Sequence, residues 1–263
     1  MRKKPTVADI RAMKGKFQYT KLRVVTLDEL AAAEAAGIDM VSVPPDLMCD
    51  PAFRDVAPTV FAIPGDNFYE IGSTKDYIRW AFRLLKAGAD ALYCNASLRT
   101  VRRLADEFVP VIGHVGLVPS RRTWTGGFKA VGKTAAGALE VWQAVKRYEE
   151  AGAFGAEIEV MPAGIAAEIS KRTPLFMISM GGGPGCDCQY LFAEDVLGSN
   201  TGHVPRHAKR YRDFAAEAAR LQRERIAAFS EYAAEVASGA YPAAEHLVPT
   251  DEAELEKFRQ ALG

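Results

Sequence analysis

Short apolar runs rich in Val, Ile, Leu and Phe alternate along the chain with longer amphipathic stretches, which predicts strands followed by helices. LRVVT (22–26), MVSV (40–43), TVFAIP (59–64) and ALYCN (91–95) read as strands. VPVIGHVG (109–116), FGAEIEV (154–160) and LFMISMG (175–181) continue the series, with QYLFAE (189–194) as a last strand. Between them, apolar residues at helical spacing predict helices over DELAAAEAAG to Gly37, over 74–87 stopping at Gly88, near 98–107, over 135–151, and after Pro162. A glycine just past the last apolar position is the usual end of a helix. The stretch 206–237, rich in Ala, Arg and Glu, predicts one or two terminal helices. Strands that alternate with helices, without consecutive hairpins, give a parallel sheet with helical crossovers. Seven or eight such units in 263 residues favour a closed (β/α)₈ barrel over an open doubly wound sheet. No linker or low-complexity tract divides the chain, so residues 1–263 read as one barrel domain with C-terminal helices.

Composition adds exclusions. Lys plus Arg equals Asp plus Glu, 33 each, which offers no electrostatic footprint for nucleic acid or an anionic membrane. No segment reaches the roughly 18 uninterrupted apolar residues of a membrane span. The opening MRKKPTVADI lacks the apolar core of a signal peptide, so the expected location is the cytoplasm. Cys186 and Cys188 have C-x-C spacing, and with Cys49 and Cys94 they read as small buried hydrophobes or incidental thiols.

Residues Gly127–Thr134 fit the G-x-x-x-x-G-K-[ST] pattern letter for letter. A phosphate loop needs a buried strand directly before it, so that backbone N–H groups and a helix N-terminus converge on the phosphates. The preceding SRRTWTG is polar and basic, without strand alternation. The loop therefore reads as an element near an active-site mouth.

The same region carries a resemblance. PVIGHVGLVPS…GGFKAVGKT (110–134) resembles the signature of ketopantoate hydroxymethyltransferases, a family within the phosphoenolpyruvate mutase/isocitrate lyase-like barrels. TVADIRAMKG (6–15), AGIDMVSV (36–43), AGAFGAEIEVMPA (151–163), CDCQYLFAEDVLG (186–198) and AYPAAEHLV (240–248) follow in register. The resemblance implies a homo-oligomeric barrel enzyme acting on a small molecule. Its reaction adds a hydroxymethyl group from methylene-tetrahydrofolate to a branched 2-oxo acid, with magnesium stabilising the enolate.

Carried over by residue, the resemblance places His114 at a strand end and Glu159 at the family's acid/base position. Period-two alternation puts Glu157 on the same strand face as Glu159, where the family has an apolar residue. Two carboxylates facing a barrel interior require pairing, protonation or a metal. Substrate contacts are expected from Ser42, Asp46, Tyr93, Asn95, Glu157 and Ser179. The family's metal and carboxylate-binding positions hold other residues here. Pro45 and Asp46 stand where it has Asp and Ser, Ala62 where it has Asp, and Tyr93 and Asn95 where it has Lys and Glu. Asp46 and Asp66 remain as carboxylates for a displaced cation site, with loop and turn roles as their other reading. His203, His207 and His246 read as surface, cap or tail residues. Three functions stay open: the family reaction, a recruited lyase, aldolase or hydrolase without the metal, and a non-catalytic binding protein.

Overall fold

In the computed structural model, residues 3–65 and 71–263 are described. The chain divides into two compact units, Met1–Arg212 and Asp213–Gly263. The first holds eight strands: β1 (Tyr19–Arg23), β2 (Met40–Val43), β3 (Phe61–Pro64), β4 (Leu92–Tyr93), β5 (Val111–Gly116), β6 (Gly155–Glu159), β7 (Phe176–Met180) and β8 (Cys188–Phe192). All pairings are parallel, in the order β3-β2-β1-β8-β7-β6-β5-β4. The sheet curls into a (β/α)₈ barrel whose seam lies between β3 and β4. There the Asp90 and Ala91 amides both donate to the Ala62 carbonyl, at 3.0 and 3.3 Å. The Asp90 carboxylate returns the bond by accepting the Ala62 N–H at 2.8 Å, and it also pairs with Arg54 and Lys4.

Helix α1 (Val7–Ala12) precedes β1, and helices follow the strands: α2 (Leu27–Ala35), α3 (Pro45–Met48), α4 (Phe53–Val56), α5 (Thr74–Lys86) and α6 (Leu98–Asp106). After them come α7 (Arg122–Thr125), α8 (Ala135–Glu150), α9 (Ala163–Arg172) and α10 (Ala193–Leu197). Thr6, Thr26, Ser73, Ser97 and Thr134 cap helices by accepting a backbone N–H two or three residues into the first turn. The residues before α8 are helical or irregular, not a strand, so the Gly127–Thr134 pattern lacks the frame of a phosphate loop.

Strand alternation sorts the core into two shells. Val41, Val43, Ala62, Leu92, Val111, Ala156, Ile158 and Met177 face the helices. Met40, Phe61, Ile63, Ile112, Phe176, Ile178 and Tyr190 fill the barrel, with Ile10 of α1 joining them. Residues 181–187 join β7 to β8 without a helix. Asp187 anchors this segment by binding the Lys14 ammonium at 2.6 Å and the Gly15 and Met177 amides at 3.1 and 2.8 Å.

The pattern-based boundaries need two corrections. β1 starts at Tyr19, three residues before the expected run, because its inward positions are Tyr19, Lys21 and Arg23 and break the apolar signal. β8 begins at Cys188, and Ala193–Glu194 open α10 instead of extending the strand. The second unit contains α11 (Phe214–Ser238) and α12 (Glu252–Leu262). Ile226, Phe229 and Val236 lie at helical spacing on α11 and are exposed.

Candidate active site

Polar groups gather inside the barrel toward the ends of its strands. The Lys21 Nζ on β1 donates to Glu157 Oε1 on β6 at 2.5 Å. In the sheet β8 and β7 stand between these strands, so the bond crosses the barrel interior. Both side chains are buried, and the ammonium also sits 4.1 Å from the centre of the Tyr190 ring.

His114 occupies the next position along. Its Nδ1 shares a 2.6 Å hydrogen bond with the Tyr93 hydroxyl, and Glu157 Oε2 is 3.8 Å from the same nitrogen. Its Nε2 lies 3.0 Å from Glu159 Oε2, outside the direction a hydrogen bond needs. With the Tyr93 hydroxyl donating to Nδ1, the ring proton sits on Nε2, beside Glu159 but not aimed at its oxygen. Two glycines make this placement fit. A Cβ on Gly113 would stand 2.4 Å from the Tyr148 ring of α8, and one on Gly116 would stand 2.4 Å from the Glu159 carbonyl. Gly116 also has φ +81°, open to glycine at no steric cost. Directly after Glu159, Val160 adopts φ +47°, a strained conformation for a β-branched residue.

Around this row, the pKa of the buried Tyr190 hydroxyl is pushed well up by burial first and by Glu157 second, with Ser42 opposing the shift. Arg23 lies two residues along β1 from Lys21, opposite Ser42 in register. Its guanidinium stacks 5.5 Å from the Phe192 ring, half-buried, and has no carboxylate partner among the described residues. His207 packs on Gly181 at the end of β7, where a Cβ would meet its Nδ1 at 2.8 Å. Burial lowers the His207 pKa, opposed by the nearby charges of Glu159 and Asp195.

The expected site residues thus separate. Ser42, Tyr93, His114, Glu157 and Glu159 share the barrel interior. Asn95 lies two residues past β4, donating to the Ser120 Oγ at 3.1 Å and bordering a polar cavity of about 350 Å³. Asp46 is exposed on the first turn of α3. Ser179 points the other way: its hydroxyl accepts the Gly182 N–H beside Ala166, outside the barrel. Asp66 lies outside the described residues. His203 is exposed, and His246 closes its own turn by accepting the Ala243 N–H. Lys21, Arg23, Tyr190 and the rim position of His207 are additions that sequence reasoning missed. A larger cavity, about 670 Å³, borders Lys14 and Asp187 and touches none of this group.

Among the described residues, the positions where the family holds magnesium do not bring its ligands together. Ala62 turns its side chain to the helix shell, Glu157 is already neutralised by Lys21, and no group of three candidate ligands exists among the described residues. No helix among them is long and apolar enough to cross a membrane.

Comparison with known proteins follows the same lines. The sequence profile described as ketopantoate hydroxymethyltransferase matches residues 61–244. The chain is 33% identical to a 3-methyl-2-oxobutanoate hydroxymethyltransferase of Nitratidesulfovibrio vulgaris, covering 98% of this chain and 89% of that protein. It is 37% identical to the enzyme of the same name from Heliobacterium modesticaldum, over 78% and 73% of the two chains. In fold it is similar to 2,3-dimethylmalate lyase, a member of the phosphoenolpyruvate mutase/isocitrate lyase superfamily. That match has a TM-score of 0.51 at 13% identity and covers 98% of this chain and all (100%) of the other. With the profile and full-length relatives in agreement, the chain is an enzyme that belongs to the ketopantoate hydroxymethyltransferase family.

Proposed function

We propose that this barrel forms or cleaves a C–C bond next to the carbonyl of a small, branched 2-oxo acid, with Glu159 moving the proton on the adjacent carbon. The observation that carries the reading is the His114–Glu159 contact at 3.0 Å, buried and backed by Tyr93. A carboxylate held at a barrel rim beside an imidazole is equipped to take and return a proton. His114 stands with its Nε2 edge beside the Glu159 carboxylate, held there by the Tyr93 hydroxyl. Arg23, half-buried without an anionic partner among the described residues, supplies a planar fork for the substrate carboxylate. That role is vacant at Tyr93, where the family has lysine. The relatives' printed substrate, 3-methyl-2-oxobutanoate, has the required carboxylate, carbonyl and adjacent C–H.

The test is solvent exchange. Incubated with the enzyme in D₂O, 3-methyl-2-oxobutanoate should lose the NMR signal of the proton next to its carbonyl, and Glu159→Gln should abolish that loss. Exchange that persists in Glu159→Gln, or is absent from the wild type, removes the proposal. Adding methylene-tetrahydrofolate then separates the two reaction classes: hydroxymethylated product marks the family reaction, and exchange without product marks a recruited lyase or aldolase.

A further inference from the structure

An aldol-type reaction needs an electron sink beside the carbon that loses its proton, and the described residues do not assemble a magnesium site to provide one. The barrel interior instead carries an amine. Lys21 is fully buried on β1, and among the described residues its three N–H bonds find one protein oxygen, Glu157 Oε1, together with the face of Tyr190. Stability is a poor reason to keep such a pair, since apolar residues of similar volume commonly serve as well or better. What the geometry supplies is a base in place: the Glu157 carboxylate is positioned to take a proton from the Lys21 ammonium and free its amine.

We propose that Lys21 condenses with the carbonyl of a 2-oxo acid to form an iminium, making the reaction independent of a metal; this rests on the functional reading above. Glu157 takes one proton from the Lys21 ammonium, and the free amine adds to the carbonyl carbon. The C–N bond forms as the C=O π pair moves to oxygen, and a proton passes from nitrogen to that oxygen. The Glu157 carboxyl then protonates the hydroxyl, which leaves as water while the nitrogen lone pair closes the C=N bond. Three ammonium hydrogens end as one on the iminium and two in water, and the positive charge is conserved. Glu159 removes the proton on the adjacent carbon, and the electron pair runs into the iminium to give a neutral enamine. That enamine attacks an aldehyde or its equivalent, and water returns Lys21. Glu157, ionised again, faces the iminium charge.

The experiment treats wild-type enzyme with 3-methyl-2-oxobutanoate and sodium borohydride in chelator-containing buffer, followed by intact mass and peptide mapping. Parallel samples without borohydride report solvent exchange. The expected result is a reduced secondary-amine adduct on Lys21 and exchange that survives the chelator. Lys21→Met combined with Glu157→Leu removes both charges of the pair at once, so neither is stranded; the folded variant should lose both the adduct and the exchange. Exchange without an adduct, or an adduct on another lysine, overturns the imine and leaves the functional proposal standing. A Lys21 adduct without exchange supports the imine and refutes proton transfer by Glu159. Neither signal overturns both.

Discussion

Replacing Lys21 by Met tests whether its pair with Glu157 is ionised and buried as drawn. At 2.5 Å the two unit charges attract by about 7 kcal/mol at an effective dielectric of 20. Desolvation costs several kcal/mol per ion, so the net contribution of the pair is near zero. Lys21→Met removes the attraction but leaves the Glu157 carboxylate in an apolar barrel, a loss of roughly 3–5 kcal/mol. For a chain of this size each kcal/mol lowers Tm by about 2–4 °C, giving a fall of roughly 6–20 °C. Glu157→Leu alone strands the ammonium and costs about the same. The double variant should return to within about 1 kcal/mol of wild type, or exceed it, because no charge is left to desolvate. Reversible urea titrations with matched m-values measure all four corners of this cycle. A single Lys21→Met that costs less than about 1 kcal/mol would falsify the buried ion pair.

Three further outcomes follow from the same interior. Gly113→Ala drives a Cβ to 2.4 Å from the Tyr148 ring and should cost about 1–3 kcal/mol; Tyr148→Leu should recover most of it, and failure of that rescue would place the strain elsewhere. Val160→Gly relaxes the positive φ after Glu159 and should raise stability by about 1 kcal/mol while slowing solvent exchange, read by denaturation and NMR. An unchanged stability would show that the turn holds no strain. Burial lowers the His207 pKa below its usual 6.5, so as pH falls through about 6.5 the unfolded chain gains a proton that the folded chain resists. Stability should therefore decline on the acid side, and His207→Gln should flatten that part of the curve. A parallel decline in the variant would assign it to other groups.

The barrel was legible because most of its strands bury both faces. MVSV, with every position buried, stands where the pattern puts it, at 40–43. β1 was misplaced for the same physical reason that makes it interesting. Two of its inward residues, Lys21 and Arg23, are long and charged; their apolar stems pack inside, and the Lys21 head pairs across the barrel. His114 and Glu159 were visible through family register. Glu157 was visible as a residue that needed a partner, but that partner lies 136 positions away on β1, a strand that faces β6 across the interior only once the sheet has curled. No local period encodes such a contact. Strand parity also shows why Ser179 leaves the site: it is odd by one from Ile178 and Met180, which face inward.

The vertical order of these groups sets how a 2-oxo acid would lie. Arg23 and Lys21 are successive inward positions on β1, about 7 Å apart along the strand, with Arg23 nearer its C-terminal end. A carboxylate on the Arg23 fork would direct the neighbouring carbonyl carbon down the barrel toward the Lys21 amine. On β6, Glu157 meets Lys21 directly and Glu159 is the next inward position toward the strand's C-terminal end, so in the proposed reaction the lower acid would serve the C–N bond and the upper the C–H bond. Neither charge of the lower pair is tolerable without the other, which ties the two strands into one functional unit. A neutral ketone of the same shape lacks the group that Arg23 holds. It should therefore bind weakly, form little adduct on Lys21 and exchange slowly, and equal reactivity of ketone and acid would remove Arg23 from the site.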